Sequence, residues 1–265
     1  MTKLIDLLNW FEGKGRVMIA LSGGVDSALV AYAAFQKLGD NAIAVTADYK
    51  TLSEEELVSA KRICSEIGIQ QLFLDYNELE NEEFVQNDSN RCFHCRLELG
   101  NHLKKLAKKN DVDIIVDGTH MDDLGDYRPG ILALRQNGIQ SPLAEVGFSK
   151  PNIREAAKSV GLTVFDKPSN SCLASRIPWG QRVTAEKLSR IEFGETLIKQ
   201  ITKIDQVRVR DLNGSAKIEV DKKMITVFDK PTLKTITEKL QMIGFNSVEI
   251  DQEGYKPGKI NVITD

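Results

Sequence analysis

The 265-residue sequence predicts an α/β protein: a parallel sheet wrapped by helices, with a small C-terminal α+β domain. Three observations carry this expectation. Short apolar runs rich in β-branched residues alternate with amphipathic stretches across residues 1–165, the pattern of β–α–β units. The period stops in DKPSNSCLASRIPWGQRVT, where Pro, Ser and Gly are scattered, so residues 166–183 read as an active-site loop and linker. Residues 184–265 then carry the helix, hairpin, helix and strand signals of a compact substrate or oligomerisation domain.

In chain order, the opening MTKLIDLLNWFEGKGR reads as an amphipathic helix. RVMIAL, AIAVTAD, QLFLDY and DIIVDGT read as strands. SEEELVSAKRICSEIG, between the second and third, reads as a helix opened by a Ser53/Glu56 capping box. Leu57, Ala60, Cys64 and Ile67 form its apolar stripe, which makes Cys64 a small core residue. HCRLELGNHLKKLAKKN also reads as helix and places Cys92 and Cys95 at or just before its N-terminus. Beyond the linker come a helix from Thr184 to Ile201 and a hairpin, QVRVRDLNGSAKIEV, turning at Asn213-Gly214. A helix from Lys230 to Ile243 and a last strand, SVEIDQEG, complete the chain.

Composition narrows the functions. With 42% apolar and 28% charged residues the chain is neither disordered nor collagen-like. A net charge of −3 argues against a broad nucleic-acid-binding surface, while leaving room for a local basic pocket. No apolar run is long enough to cross a bilayer and the N-terminus does not read as a signal peptide, so a cytoplasmic protein with no membrane partner is expected. In a reducing compartment four cysteines point to metal binding or catalysis more than to disulfides.

The first strand runs into Ser22-Gly23-Gly24-Val25-Asp26-Ser27 and then an apolar helix. Gly23 and Gly24 let the backbone approach a ligand closely, and the helix-start amides point at an anion. Ser22 and Ser27 add hydroxyl donors. Asp26 would repel bare phosphate, so a Mg²⁺ is expected between them. There is no GxxxxGKS/T string, which sets aside kinase- and GTPase-type sites. The bland alternative is a glycine turn with a serine cap. SGGVDS, however, resembles the pyrophosphate loop (PP-loop) of the N-type ATP pyrophosphatases, with their adenine nucleotide alpha hydrolase-like fold. That resemblance implies ATP cleavage between the α- and β-phosphates, with AMP placed on a substrate oxygen.

DGTHMDDLGDYRPG (residues 117–130), SNSCLASRIPWG (residues 169–180) and the VRVR strand extend the likeness over nearly the whole chain. Together they resemble the LarE family of ATP-dependent sulfur transferases in nickel-pincer nucleotide synthesis. The resemblance implies adenylation of both carboxylates of pyridinium-3,5-biscarboxylic acid mononucleotide, release of pyrophosphate and AMP, and replacement of oxygen by sulfur. It also implies a homo-oligomer. Some members sacrifice the sulfur of a cysteine at the position of Cys172. The additional Cys92 and Cys95 resemble the branch in which three cysteines hold a 4Fe-4S cluster. Three ligands leave one of four irons for hydrosulfide from a sulfide source, which permits repeated turnover. A zinc site completed by His94, a Cys92–Cys95 redox disulfide beside a sacrificial Cys172, and unrelated thiols are the rival readings.

Ser175 and Arg176 follow Cys172 closely enough to line the same pocket. Arg208 and Arg210 alternate along one strand and face one side, which suits a phosphate, although such a strand is also an ordinary solvated sheet face. By resemblance they hold the substrate's phosphate or pyrophosphate, with Glu195 and Glu219 at acidic pocket positions and Lys256 or Lys259 as a further cation. Asp122, Asp123 and Asp126 either share a Mg²⁺, orient Arg128 or serve as turn residues. The rival functions are a cluster-dependent tRNA thiolase, disfavoured by the acidic pI, an ammonia-using synthetase, and a non-catalytic nucleotide-binding module.

Overall fold

The computed structural model of the chain describes residues 2–125, 129–256 and 258–261. They form two compact units: the described residues of 1–78 and 90–170, and those of 79–89 and 171–265. The first unit begins with α1 (Thr2–Trp10), β1 (Val17–Ala20), α2 (Val25–Leu38), β2 (Ala42–Asp48), α3 (Glu54–Ile67) and β3 (Gln70–Asp75). The chain then contributes α4 (Glu82–Val85) to the second unit. It returns with α5 (Arg91–Lys109), β4 (Ile114–Val116), α6 (Met121–Leu124), α7 (Pro129–Gln136), α8 (Pro142–Glu145) and α9 (Lys150–Ser159).

The four strands pair in parallel in the order β3-β2-β1-β4. Side chains alternate across each strand, and β1, β2 and β4 are covered on both faces, which is why they read as continuous apolar runs; β3, at the sheet edge, has no buried residue and leaves Phe73 exposed. On one face Val17 and Ile19 pack with Leu7 of α1, Ala28 and Leu29 of α2 and Ile153 of α9. On the other, Met18, Val45 and Ile115 pack with Leu99 and Leu103 of α5 and Leu134 of α7. Cys64 is buried in the first of these clusters, and burial pushes its thiol up to about 12. It is the core residue its helical stripe predicts.

The strand order places the functional end. The chain steps outward from β1 to β3, then crosses to β4 on the other side of β1. Beyond the carboxyl ends of β1 and β4, where the winding reverses, an open α/β sheet leaves a crevice for ligands. SGGVDS follows β1 there, and Asp117-Gly118 follows β4.

The second unit holds a three-stranded sheet in the order β5-β6-β7, from β5 (Arg208–Leu212), β6 (Ser215–Glu219) and β7 (Ser247–Ile250). Its helices are α10 (Ala185–Thr202) and α11 (Lys230–Met242). β5 and β6 are the predicted hairpin: Asn213 and Gly214 both have positive φ, as a type I′ turn requires. Ile198, Val209, Ile218, Ile236 and Leu240 form its core. The 79–89 segment carries no sequence signal for leaving the first unit. It is held by Asn87, whose buried amide donates to the carbonyls of Pro178 and Gln181 at 2.7 Å each. Among the described residues no helix is long and apolar enough to cross a membrane.

Candidate functional site

Ser22, Gly23, Gly24, Asp26 and Ser27 come together as a tight turn ending on the first turn of α2. The Ser27 hydroxyl accepts from the Ser22 amide at 3.2 Å, donates to the Gly24 carbonyl at 3.2 Å and lies 3.2 Å from Ser22 Oγ. Gly23 has φ +81° and lies so close to α3 that a Cβ would stand 2.4 Å from the Glu56 carbonyl, so only glycine fits. Gly24 differs. A Cβ there would meet only Ser22 Oγ, at 3.7 Å. The protein itself does not require that glycine; the space it leaves lies at the start of α2, whose first N–H groups lack intrahelical acceptors. Gly118, after β4, is packed against the same turn, where a Cβ would stand 2.8 Å from the Ser27 nitrogen.

Polar side chains flank the loop. Both carboxylate oxygens of Asp26 accept from Lys150 Nζ at 2.6 Å, and His120 Nε2 lies 3.9 Å from Asp26 Oδ1 and 3.5 Å from Asp123 Oδ2. His120 is buried. Asp123 accepts from the His120 amide, and Asp122 accepts from the Lys150 amide at 2.7 Å, so both carboxylates cap helix starts. Asp126 and Arg128 lie outside the described residues. Sequence reasoning missed Lys150. Its helix start was legible, since Ser149 is the N-cap and Pro151 enters the first turn of α9, but nothing local announces the pairing with Asp26.

Across the loop stands a second missed group. Glu56 accepts from Lys167 Nζ at 2.9 Å and from the Asn170 amide at 3.1 Å, while Lys167 also donates to the Gly23 carbonyl at 3.1 Å. This corrects the predicted Ser53/Glu56 capping box. Ser53 is the N-cap by backbone geometry, yet its side chain makes no cap bond, and the Glu56 carboxylate turns to partners more than a hundred residues away.

Cys92 and Cys95 lie at the N-terminus of α5, within its first two turns. Cys92 is exposed, Cys95 is half-buried, and all four cysteines are free. Spaced by three, the pair projects to one side of the helix. Gly130, from the RPG stretch, packs against the start of α5, where a Cβ would stand 3.2 Å from the Cys92 carbonyl. The Tyr76 ring stacks on His102 of the same helix at 4.6 Å, and burial, with the charges of Cys95, Tyr49 and Glu78, raises its phenol.

In the second unit Cys172 is half-buried and precedes a short 3-10 turn, Leu173–Arg176. Arg176 is fully buried and pairs with both oxygens of Glu195, at 2.8 and 3.0 Å. Its Nη1 donates to the carbonyls of Ser171 and Cys172 and to Ser175 Oγ, gripping the cysteine turn from behind. Burial lowers its pKa, but the neighbouring Glu195 and Cys172 outweigh that and the guanidinium titrates above its usual range. Arg210 binds Glu219 through two nitrogens, at 2.7 and 3.0 Å, and the Ser175 carbonyl at 2.9 Å. Arg208, buried on the same strand face, is held below its usual range by burial and by repulsion from Arg176. The Tyr255 ring faces Arg208 and Arg210 at 5.6 and 6.0 Å. Ser175, Arg176, Arg208, Arg210, Glu195 and Glu219 are thus one cluster, three guanidinium groups against two carboxylates. Lys259 pairs with Asp251 and Glu253, and Lys256 lies 3.7 Å from Glu253. Among the described residues no three His, Cys, Asp or Glu side chains gather as a metal site. Cys92 and Cys95 belong to the first unit and Cys172 to the second.

Comparison with known proteins adds relatives to this geometry. The family described as queuosine biosynthesis protein QueC matches residues 16–89, which include β1 and the SGGVDS turn. The sheet and this match agree with an adenine nucleotide alpha hydrolase-like fold. A protein of Synechocystis sp. (strain PCC 6803) of uncharacterized role is 40% identical over 98% of this chain and 97% of its own length. The pyridinium-3,5-bisthiocarboxylic acid mononucleotide synthase of Lactiplantibacillus plantarum is 31% identical over 98% of this chain and 94% of its own. The tRNA-specific 2-thiouridylase MnmA of Clostridioides difficile is 25% identical over 68% of this chain and 61% of its own.

Proposed function

Because this chain belongs to the family of pyridinium-3,5-bisthiocarboxylic acid mononucleotide synthase, the LarE family, we propose that it is an ATP-dependent sulfurtransferase acting on the corresponding biscarboxylic acid mononucleotide. The observation that carries the ATP half is the Gly24 opening at the start of α2, on the sheet's switch point. The phosphates of ATP lie against the amides of that turn. Asp26 would hold the Mg²⁺ that accompanies them, and Lys150, released from Asp26, would meet phosphate charge. A substrate carboxylate oxygen attacks the α-phosphorus, the bond to the β-phosphate oxygen breaks and pyrophosphate leaves. A sulfur nucleophile then attacks the carboxyl carbon, and the C–O bond to AMP breaks.

The sulfur half is supported by the contrast among cysteines. Cys64 is buried, whereas Cys92, Cys95 and Cys172 are not, and none is spent in a disulfide. By family resemblance Cys92, Cys95 and Cys172 would hold a 4Fe-4S cluster, which when bound would supply a soft, renewable sulfur nucleophile. The arginine cluster of the second unit takes the substrate's phosphate. Its excess of guanidinium over carboxylate, with Arg208 pushed down by burial, is relieved by an anion. Arg176, with its donors committed to Glu195 and the 171–175 turn, positions Cys172 and Ser175.

The test is turnover by anaerobically purified protein given ATP, Mg²⁺, sulfide and the pyridinium mononucleotide. Pyrophosphate release that depends on the mononucleotide, with repeated formation of thiolated product read by mass, is the expected result. Pyrophosphate release without thiolation, or none above background, contradicts the proposal.

A further inference from the structure

We propose that Glu56, Lys167 and Asn170 are positioning residues that couple occupancy of the SGGVDS turn to the segment leading into Cys172; this rests on the ATP and sulfur-transfer reading above. The Gly23–Gly24 peptide is a rigid plane, with its carbonyl and its N–H pointing to opposite sides. The carbonyl is gripped from one side by Ser59 Oγ at 2.9 Å and Lys167 Nζ at 3.1 Å. The Gly24 N–H is therefore aimed away from them. A phosphate that pulls on that N–H tilts the plane, and the tilt is felt at Lys167.

From Lys167 the path continues along the chain. Its ammonium pairs with Glu56, and the same carboxylate accepts from Asn170. The backbone between is clamped as well, since Arg154 donates to the carbonyls of Phe165 and Lys167 at 2.8 Å each. Asn170 stands two residues before Cys172. Glu56 and Lys167 are mostly buried, so water competes weakly for the pair. The network makes the 166–170 segment a lever attached at one end to the ATP turn and continuous at the other with the sulfur-bearing turn. Its consequence for the reaction is order: the cysteine segment settles when nucleotide is seated.

Hydrogen exchange by mass spectrometry on the full chain, with and without ATP and Mg²⁺, tests this directly. In the natural protein ATP is expected to slow exchange both in residues 22–28 and in residues 166–172. In Lys167→Met the turn stays protected while the second segment loses its response. Lys167→Arg restores it, and Asn170→Ala, a milder change, weakens it. In turnover, Lys167→Met lowers thiolated product per pyrophosphate about tenfold or more, the scale of a misplaced reacting group. Protection of the turn without any response at 166–172 in the natural protein, or an unaltered response in Lys167→Met, overturns the coupling and leaves the ATP reading standing. No protection at the turn itself overturns the ATP reading and the coupling together.

Discussion

Two ion pairs, one in each unit, show how differently the molecule uses charge. In the first unit Asp26 and Lys150 are 26% and 25% exposed, so both reach water. In the second, Arg176 and Glu195 are 0% and 9% exposed, and Arg176 spends its donors on Glu195 and on the turn around Cys172. The partly wet pair can be opened by a ligand at small expense. The buried one is part of the framework, and opening it strands a charge in the protein interior.

Breaking the buried side gives the largest effect. Arg176→Ala leaves Glu195 facing a cavity and is expected to lower stability by about 3–5 kcal/mol, read from the urea midpoint. Pairing it with Glu195→Gln should recover part of that loss. Full stability in the single variant would place Arg176 among exchangeable, ligand-facing groups.

The two glycines sharpen the same distinction within the ATP turn. Gly23→Ala combines a left-handed backbone with a collision against α3, so a loss of about 1–3 kcal/mol is expected. Gly24→Ala should change stability by less than about 0.5 kcal/mol. By calorimetry it should nevertheless weaken ATP binding about tenfold or more, close to 1.4 kcal/mol. Equal destabilisation by both would make the turn a structural one.

Cys64 gives a pH-dependent effect of intermediate size. Its thiol ionises near 9.0 in the unfolded chain and near 12 when folded, so the unfolded state loses its proton first. This group's contribution is intact below pH 9.0 and declines as pH rises from there toward 12. Denaturation curves across that range should fall less steeply for Cys64→Ala than for the natural protein. Identical slopes would mean that the thiol is solvated. Asp26→Asn should change stability by no more than about 1 kcal/mol, because the pair it breaks is partly solvated. That variant should still lose mononucleotide-dependent pyrophosphate release.

What could be read from the sequence was what depends on neighbours in the chain. β1, β2 and β4 announce themselves because burial on both faces demands apolar, β-branched runs, and Asn213-Gly214 because few residues accept positive φ. The SGGVDS turn was legible for the same reason, since backbone approach and helix-start amides are local properties. Lys150, Lys167 and Glu56 were not. Each meets its partner across roughly 110 to 125 residues of chain, and a lysine or glutamate on a helix start or in a loop looks the same whether it faces water or an ATP loop. The Ser53/Glu56 motif shows the limit most clearly: a local cap and a distant lysine competed for one carboxylate, and the lysine, in a partly buried setting, won. The crossing of residues 79–89 to the second unit rests on the side-chain amide of Asn87 and has no periodic signature at all.

Iron and acid-labile sulfide, measured on protein purified without air, bear most directly on the roles of the cysteines. The natural chain and Cys64→Ala should each carry about four of both per molecule, and Cys92→Ala, Cys95→Ala and Cys172→Ala should each lose them. A natural chain holding zinc in place of iron, or a Cys172→Ala variant that keeps its full iron, would contradict a sulfur transfer built on those three thiols.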